Sequence, residues 1–531
     1  MKLSYCSFVS RKVNRFVRLS SAAAVILSAG LMNQAKAAEV TWATTSGTWT
    51  TASNWGGGVL PGSNDLAVIT GSAGSAYTIT IPNNSTVNVG GILGIPVGSN
   101  RTVSLSGAGA NLVLHGYDMV INGEEQTVLV ANLGPAALTI GGTTATITLQ
   151  SSGVVHADGD VTLNPKIVGD YSITKTGTGT LTLGRGGLES TFSGGFILDG
   201  GVVNTYGSSS STTGAGPFGT GTLTLRSGQI RTQGGNARTY TNAVALDGSV
   251  ILGHEDYMGD IYFSAGNMGN ATTLLRDSEI STINYSTWNQ KISGDYSLTK
   301  SGTGALALTN VANDYSGKTI VAGGALFVTG ALLNSEVEVQ AGAVLGGTSS
   351  ATAGTGFYRE VVVKTGGRLR PGIKWTNSAS NRNVVGTLQF FDNLVLEEGS
   401  TVEFTLGSTS SKIYFTANLS LDGANLELSL GLQPVEGTTY VLFENDGFGS
   451  ITGNLVYDGQ TLGEGSIFLV ESGSYSQYFQ ITYQYHVGEF GPDSIAITAV
   501  APIPEAGALF HLGVIGAGAG VLAYRRRRAA A

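Results

Sequence analysis

Hydrophobic and polar residues alternate in short segments along most of this chain. Leucine, isoleucine and valine occupy every second position and threonine or serine lies between them, as in residues 76–81, 102–106, 145–149 and 221–225. A period of two residues predicts β-strands that bury one side and expose the other. Glycine, asparagine, aspartate and serine separate the segments, and no long segment has apolar residues at helical spacing. The pattern predicts an all-β body.

One longer segment occurs twice. Residues 169–183 read Gly-Asp-Tyr-Ser-Ile-Thr-Lys-Thr-Gly-Thr-Gly-Thr-Leu-Thr-Leu, and residues 294–308 repeat this with few changes. Each copy continues through an aromatic-Ser-Gly turn, a short strand and two glycines, so the clear copies cover 169–203 and 294–328. A unit of this size cannot bury a core alone and must stack on its neighbours. We expect leucine and isoleucine to point inward, threonine outward, and glycines to occupy the corners.

Stacked units of this kind predict a right-handed parallel β-helix, or β-solenoid, in which strands of successive turns lie about 4.8 Å apart. At roughly 22 residues per turn, a mature chain of ~460 residues would make about 20 turns. The regular pattern occupies residues 38–357. Between residues 358 and 500 the strands become longer and less regular, which predicts a C-terminal β-rich stem that closes the solenoid.

The N-terminal segment 1–37 has the pattern of a signal peptide. Four basic residues between positions 11 and 18 precede an apolar stretch at 22–32, and Ala35-Lys36-Ala37 fits the small-x-small rule, so cleavage is expected between Ala37 and Ala38. The basic residues are Arg11, Lys12, Arg15 and Arg18. An amphipathic helix of a cytosolic protein is the alternative. We favour export.

The C-terminal segment 502–531 combines a Pro504-Glu505 pair, an apolar run at 506–524 and an arginine block. The block consists of Arg525, Arg526, Arg527 and Arg528. A helix over the apolar run would be about 28 Å long, enough to cross the hydrocarbon core of a bilayer. The arginines would hold the C-terminus in the cytoplasm. We therefore expect a single C-terminal transmembrane helix. It could hold a precursor in the membrane until the protein is cut free, or, as the alternative, it could be a permanent membrane anchor.

Composition limits the possible functions. The only cysteine, Cys6, lies in the predicted signal peptide, which excludes disulfides and cysteine chemistry from the mature chain. The signal peptide holds six and the tail four of the 28 basic residues, and the tail holds one of the 36 acidic residues. The remaining body has a net charge of −17. Such a surface repels nucleic acid, so no nucleic-acid partner is expected.

Residues with catalytic potential are sparse. The densest cluster consists of His254, Glu255, Asp256 and Asp260. The second cluster consists of His156, Asp158 and Asp160. Neither cluster has the spacing of a metal motif, and residues 444–447 have the composition of a turn. Solvated turns are the favoured interpretation, so we predict no catalytic residue, no metal site and no cofactor. The alternative is a polysaccharide lyase or hydrolase acting through His254 and Asp256.

Three tryptophans, Trp42, Trp49 and Trp55, lie close together at the start of the mature chain. Their rings could form a platform on which sugar rings stack, or they could cover the open end of the first turn. We favour the end cap.

The two repeats resemble the autotransporter-associated β-strand repeat, whose pattern is Lys-x-Gly-x-Gly-x-Leu-x-Leu. The matching residues are Lys175, Gly177, Gly179, Leu181 and Leu183 in the first copy and Lys300, Gly302, Gly304, Leu306 and Leu308 in the second. This resemblance implies a passenger-type solenoid.

The C-terminal segment resembles the PEP-CTERM sorting signal of Gram-negative bacteria, although Ala506 replaces the usual second proline. The resemblance implies a transient partner, an exosortase-type membrane transpeptidase that cuts near Pro504-Glu505 while the helix holds the precursor in the inner membrane. It implies release to the cell surface, outer membrane or extracellular matrix. We therefore predict a structural or adhesive surface protein, with extracellular polysaccharide as a candidate partner.

Overall fold

The computed structural model describes residues 37–70, 77–95, 100–105, 109–184, 189–256, 259–349, 354–376, 381–447, 449–487 and 493–502. The chain divides into residues 1–37 and residues 38–531, and nearly all described residues belong to the second unit. The predicted signal peptide, apart from Ala37, and the sorting tail from Ile503 onward lie outside the described residues. Within the described part, no helix is long and apolar enough to span a membrane.

Strands make up the regular structure, beside four 3-10 helices of three residues each in the described part of the chain. The 3-10 helices are Ala52–Asn54, Gly56–Gly58, Gln233–Gly235 and Gly266–Met268. The first third of the chain contains β1 (Glu39–Thr41), β2 (Gly47–Thr48), β3 (Leu66–Thr70), β4 (Tyr77–Ile81), β5 (Thr86–Val89), β6 (Gly91–Ile95), β7 (Arg101–Leu105), β8 (Asn111–Leu114), β9 (Tyr117–Ile121), β10 (Glu124–Asn132), β11 (Leu138–Gly141), β12 (Thr146–Leu149), β13 (Gly153–Ala157), β14 (Val161–Leu163), β15 (Lys166–Val168), β16 (Ile173–Thr176) and β17 (Thr180–Leu183).

The middle of the chain contains β18 (Phe196–Thr205), β19 (Leu223–Thr232), β20 (Arg238–Tyr240), β21 (Val244–Leu246), β22 (Ser249–Leu252), β23 (Ile261–Phe263), β24 (Thr272–Leu274), β25 (Ser278–Thr282), β26 (Tyr285–Trp288), β27 (Ile292–Ser293), β28 (Leu298–Ser301), β29 (Ala305–Leu308), β30 (Thr319–Val321), β31 (Ala325–Val328), β32 (Ala331–Leu332), β33 (Val337–Val339), β34 (Val344–Gly347), β35 (Gly356–Phe357) and β36 (Val361–Val363).

The last part contains β37 (Arg368–Thr376), β38 (Asn381–Val385), β39 (Thr387–Phe390), β40 (Leu394–Leu396), β41 (Thr401–Leu406), β42 (Lys412–Phe415), β43 (Leu419–Ser420), β44 (Asn425–Leu430), β45 (Thr439–Asn445), β46 (Ile451–Thr452), β47 (Val456–Tyr457), β48 (Gln460–Thr461), β49 (Ile467–Ser472), β50 (Tyr475–His486) and β51 (Asp493–Val500).

Most strands pair in parallel with the strand one turn later, and the pairs form three ladders. Ladder A runs through β1, β3, β6, β10, β13, β16, β18, β19, β21, β24 and β27, and after Asn313 through β32, β35, β39, β42 and β45. Ladder B begins with β2 and ends with β46. It includes β17 in the first repeat and β28 and β30 in the second. Ladder C contains β5, β8, β12 and β15 and, further on, the strands from β20 to β47. The predicted all-β parallel solenoid is confirmed.

The solenoid makes about 15 turns, fewer than the 20 expected from a uniform repeat. Turn length varies: the paired residues Ile173 and Phe196 are 23 positions apart (196 − 173), whereas Val361 and Leu394 are 33 apart (394 − 361). The estimate of roughly 22 residues fits the repeats. Other turns are shorter, as between the paired Thr272 and Ile292 at 20 positions (292 − 272), or longer where hairpins and loops are inserted between strands. The right-handed sense stays a prediction.

The core lies inside the coil as one continuous cluster from Val40 to Ala499. In the first repeat Leu181 and Leu183 are buried, while Thr180 and Thr182 are half-buried on the outer side, as the alternation predicts. Successive turns also stack aromatic rings in the core, with centroids 4.0 to 5.7 Å apart. This stack consists of Phe196, Phe218, Tyr240, Phe263 and Trp288.

Parallel pairing continues past residue 358 as far as β47, and antiparallel strands follow it. β45 pairs with β51, β51 with β50, and β50 with β49, all antiparallel. Since this sheet extends ladder A with strands of opposite direction, the parallel stacking ends there. Two hairpins, β9–β10 and β37–β38, pack on the outside of the coil and each covers a small outer apolar cluster.

Candidate functional surfaces

The signature lysine of the first repeat lies inside the solenoid. Lys175 follows the buried Ile173 at the next inward position of β16, and its side chain is 0% exposed. Its Nζ donates hydrogen bonds to the carbonyl oxygens of Thr176 at 2.7 Å, Gly177 at 3.1 Å and Gly200 at 3.3 Å. Gly200 belongs to the following turn, so one ammonium group joins the corners of two turns.

The second repeat builds the same corner. The Nζ of Lys300 donates to the carbonyls of Ser301 at 2.6 Å, Gly302 at 3.4 Å and Gly323 at 3.0 Å, and Lys300 is 1% exposed. Burial lowers the pKa of Lys300 to about 7. Burial also lowers the pKa of Lys175 to about 8, against the opposing effect of the Asp158 carboxylate. A lysine of low pKa is often catalytic, but these two are enclosed by backbone and therefore act as structural donors.

The signature glycines make room for this corner. Gly177 has a φ of +79°, and a Cβ there would lie 2.4 Å from the carbonyl oxygen of Ala157 on the preceding turn. The equivalent Gly302 has a φ of +75°, and its Cβ would lie 2.5 Å from the carbonyl oxygen of Thr282. Any side chain at these positions would push successive turns apart. The lysine and the glycines of the signature thus form one structural device.

The two copies do not lie on the same side of the coil. Lys175 is on β16 in ladder A, whereas Lys300 is on β28 in ladder B. The inward residues Leu306 and Leu308 of the second copy are buried like Leu181 and Leu183 of the first. The repeat therefore specifies a corner, and it works at either of two positions around the turn.

The outer positions of the second copy are covered by the β37–β38 hairpin. Ala305 and Ala307 replace the outward threonines of the first copy and are buried in an outer cluster with Tyr285, Phe327 and Trp375. The guanidinium of Arg382, on the hairpin, lies 4.2 Å from the centroid of the Tyr285 ring. Its Nη2 donates to Asp260 Oδ2 at 2.7 Å. Alanine at these positions lets the hairpin approach the coil.

The tryptophans form a closed cluster at the start of the body. Trp42, Trp49 and Trp55 are 1 to 3% exposed, and the ring of Trp55 lies edge-on to both others at 4.8 to 4.9 Å. The indole nitrogen of Trp55 donates to the carbonyl of Trp49 at 2.8 Å. A sugar-stacking platform would need an exposed ring face, so the structure favours the end cap.

The acidic and histidine clusters are only partly brought together. His156 is buried, with Nδ1 2.9 Å from Thr176 Oγ1 and Nε2 3.2 Å from Asp158 Oδ1. His254 Nδ1 accepts a hydrogen bond from the backbone of the exposed Asp256, which describes a turn. The remaining members, Glu255 and Asp160, are exposed.

Asp260 pairs with Arg382 on the outer hairpin, with Arg382 Nη2 2.7 Å from Asp260 Oδ2. Among the described residues, no group of three or more potential ligands is arranged to hold a metal ion. The clusters therefore add no support to the enzyme alternative.

Sequence reasoning missed a further buried cation, Arg101 on β7. Arg101 is 0% exposed and donates to the carbonyl of Ile95, to Asn132 Oδ1 at 3.3 Å and to the carbonyl of Ala136 at 3.4 Å. Its place at the start of an alternating segment was the available signal, because a charged residue at an inward position needs buried acceptors.

Sequence reasoning also missed a surface groove on ladder A. Residues 444–447 were interpreted as a turn, yet Glu444 and Asn445 belong to β45. The groove of about 400 Å³ is lined by Ser349, Thr387, Gln389, Phe390, Phe391, Tyr414, Thr416, Glu444 and Asp446. No local pattern indicates it, since its residues come from three turns and the loop before them.

The predicted sorting residues Pro504 and Glu505 and the block Arg525 to Arg528 lie outside the described residues. The predicted mature N-terminus does lie inside them. The backbone nitrogen of Ala38 is 2.9 Å from Asp65 Oδ1, and its carbonyl accepts from Leu66 at 2.8 Å.

Comparison with known families identifies the repeats. Residues 173–204 and 298–327 match the family model of the passenger-associated transport repeat, and both stretches contain the lysine corner. No curated protein matches the chain. The predicted autotransporter-associated repeats are confirmed, and they indicate an exported passenger-type domain, consistent with a surface location.

Proposed function

We propose that this chain is an exported, non-enzymatic β-solenoid that is displayed at the cell surface or in the extracellular matrix, where it has a structural or adhesive role. The observation that carries the proposal is the lysine corner, which both passenger-type repeats build in the same way inside one continuous coil. The corner uses the lysine amino group to join turns and encloses that group in backbone. Its chemistry serves the stacking of the coil.

We further propose that the precursor is processed at both ends. Cleavage after Ala37 would turn the Ala38 nitrogen into an ammonium group beside the Asp65 carboxylate, which supports this cleavage site. An exosortase-type transpeptidase would then cut near Pro504-Glu505, with the apolar run and the arginine block holding the precursor in the inner membrane until release.

Substitution of the sorting pair tests the second step. In cells that express the full chain, Pro504→Ala with Glu505→Ala should leave the protein in the inner-membrane fraction, because the transpeptidase loses its recognition pair. Pro502→Ala, two positions earlier, is the matched control and should be released normally. Normal release of the double variant would refute sorting through this pair.

The enzyme alternative has its own test. A surface lyase or hydrolase acting through His254 and Asp256 would shorten glycan chains, and His254→Ala would abolish this. Incubation of the purified full-length protein with neutral and acidic glycans, followed by a reducing-end assay, distinguishes the two functions. Chain shortening that depends on His254 would replace the proposal by the enzyme.

A further inference from the structure

The groove on ladder A has an ordered arrangement of outward side chains. Gln389, Tyr414 and Glu444 are paired neighbours on β39, β42 and β45, so they form one row across three turns. Next to this row, Phe391 and Thr416 each follow the last residue of their strand, and Asp446 follows β45. Neighbouring turns are about 4.8 Å apart. The groove is therefore lined by two parallel rows of side chains.

Aromatic rings form one part of this surface. Phe391 is 36% exposed and stacks on Tyr358 with ring centroids 4.4 Å apart. Tyr414, in the adjacent row, is half-buried. A Cβ at Gly356 would lie 3.2 Å from the Phe391 ring and 2.7 Å from the carbonyl oxygen of Gln389, so a glycine at this position lets the chain pack closely beneath both residues. Flat apolar faces of this kind suit the C–H face of a sugar ring.

Two buried polar groups in the groove lack a partner. Gln389 is only 6% exposed, and its Oε1 has no hydrogen bond among the described residues. The Oγ of Ser349, which also lines the groove, is unpaired within the same part of the chain. A buried acceptor without a donor is costly, and a ligand that brings hydroxyl groups would satisfy it. These two atoms therefore point to a hydroxyl-rich ligand.

The charges of the groove favour a neutral ligand. Glu444 is paired with Lys412, whose Nζ lies 2.7 Å from Glu444 Oε2. Burial acts to lower the pKa of Lys412, but the hydrogen bonds and charges of Glu444 and Tyr414 together outweigh burial and raise that pKa. Asp446 is exposed and forms no ion pair with a described residue, so it leaves one uncompensated negative charge at the groove. A carboxylate accepts hydrogen bonds from hydroxyls and repels uronic acids.

We propose that this groove binds a neutral, hexose-containing glycan. The sugar ring lies on Phe391 and Tyr414, and its hydroxyls donate to Gln389 and Asp446. A volume of about 400 Å³ lies within the ~300–1,000 Å³ typical of ligand sites. The site deepens the proposed function, on which it rests for its setting at a surface rich in polysaccharide.

Isothermal titration calorimetry with the full-length protein in detergent tests the proposal. The probes are neutral hexasaccharides with β1,4-, β1,3- and α1,4-linked glucose, and a galacturonic acid hexasaccharide as the acidic counterpart. We expect binding of at least one neutral probe and weaker or no binding of the acidic one. Phe391→Ala should weaken binding of the neutral probe at least about tenfold. Tyr296→Ala, which removes a 44% exposed ring elsewhere on the coil, should leave it unchanged.

A second variant protects the test against misfolding. Asp446→Ala changes an exposed residue at the groove edge and should weaken binding of the neutral probe about tenfold. It should also reduce the difference in affinity between the neutral and the acidic probe. Absence of neutral binding at millimolar probe, tighter binding of the acidic probe, or equal affinity in both variants and wild type would overturn the proposal. Such a failure would leave the surface location untouched, since sorting is measured separately by fractionation.

Discussion

The buried lysine of the second repeat should make the stability of the solenoid rise with pH. In the unfolded chain Lys300 holds its proton up to about pH 10.5, whereas in the folded chain burial lowers its pKa to about 7. Between these values the unfolded state binds more protons, so the free energy of unfolding increases as pH rises. Lys300→Met removes this contribution.

The magnitude follows from the two pKa values, which differ by about 3.5. At about 1.36 kcal/mol for each tenfold change, Lys300 contributes about 5 kcal/mol of pH-dependent stability across the window from pH 7 to pH 10.5. Lys175, with a pKa of about 8, contributes about 3 kcal/mol over a narrower window. A neutral amine has two N–H groups for the three carbonyl acceptors in each corner, so deprotonation leaves one of the three carbonyls without its donor.

Urea unfolding of the full-length protein at pH 7, 8.5 and 10 measures this effect. Because solenoids can unfold turn by turn, hydrogen exchange of peptides from residues 298–327 should accompany the urea series, corrected for the intrinsic pH dependence of exchange. Wild type should gain protection in these turns as pH rises, and Lys300→Met should gain much less. Lys318→Met, which removes a lysine that is 42% exposed, is the control and should behave like wild type.

Equal pH slopes in wild type and Lys300→Met would refute the reasoning. They would mean that Lys300 stays protonated in the folded chain, so that the three carbonyls balance the cost of burial. A falling slope in wild type that Lys300→Met removes would contradict the sign.

Three further changes test other parts of the fold. In thermal unfolding, Gly177→Ala should destabilise the solenoid by more than Gly342→Ala, because the two glycines share a φ near +78° but a Cβ collides with the preceding turn only at Gly177. The left-handed conformation alone accounts for about 1–2 kcal/mol of the lost stability. Equal losses of stability in the two variants would contradict the collision. Phe263→Ala should cost about 3–5 kcal/mol, since it removes a ring from the core stack, and a loss below about 1 kcal/mol in urea unfolding would show that the stack repacks. Arg382→Ala should leave Asp260 buried without its cation and release the outer hairpin, which limited proteolysis would detect as faster cleavage near residues 376–385. An unchanged cleavage pattern would show that the apolar contacts alone hold the hairpin on the coil.

The alternation of residues was sufficient to predict strands, because a period of two assigns each side chain to the inside or the outside. The parallel stacking was predicted from the repeated unit at 169–203 and 294–328. The same rule places Lys175 inside, two positions after Ile173. The burial of that lysine was nonetheless missed, because a lysine is usually assumed to face water. The pairing partners of each strand could not be predicted, since hairpins such as β37–β38 change the turn length without changing the alternation.

The exchange of outward threonine for alanine is a signal that becomes clear only with the fold. Thr180 and Thr182 face solvent, whereas Ala305 and Ala307 face a hairpin that comes more than sixty residues later in the chain (368 − 307 = 61). The groove on ladder A has the same cause. Gln389, Tyr414 and Glu444 are adjacent only because turns of 25 and 30 residues separate them (414 − 389 and 444 − 414).

We propose that this solenoid is an exported passenger-type protein processed at both ends. Mass spectrometry of the termini of the protein recovered from the cell surface and from the medium tests this proposal. We expect an N-terminus at Ala38 and a C-terminus at or beside Pro504-Glu505, without the arginine block. A surface protein that retains Arg525 to Arg528, or a protein found only inside the cell with Met1 in place, would contradict it.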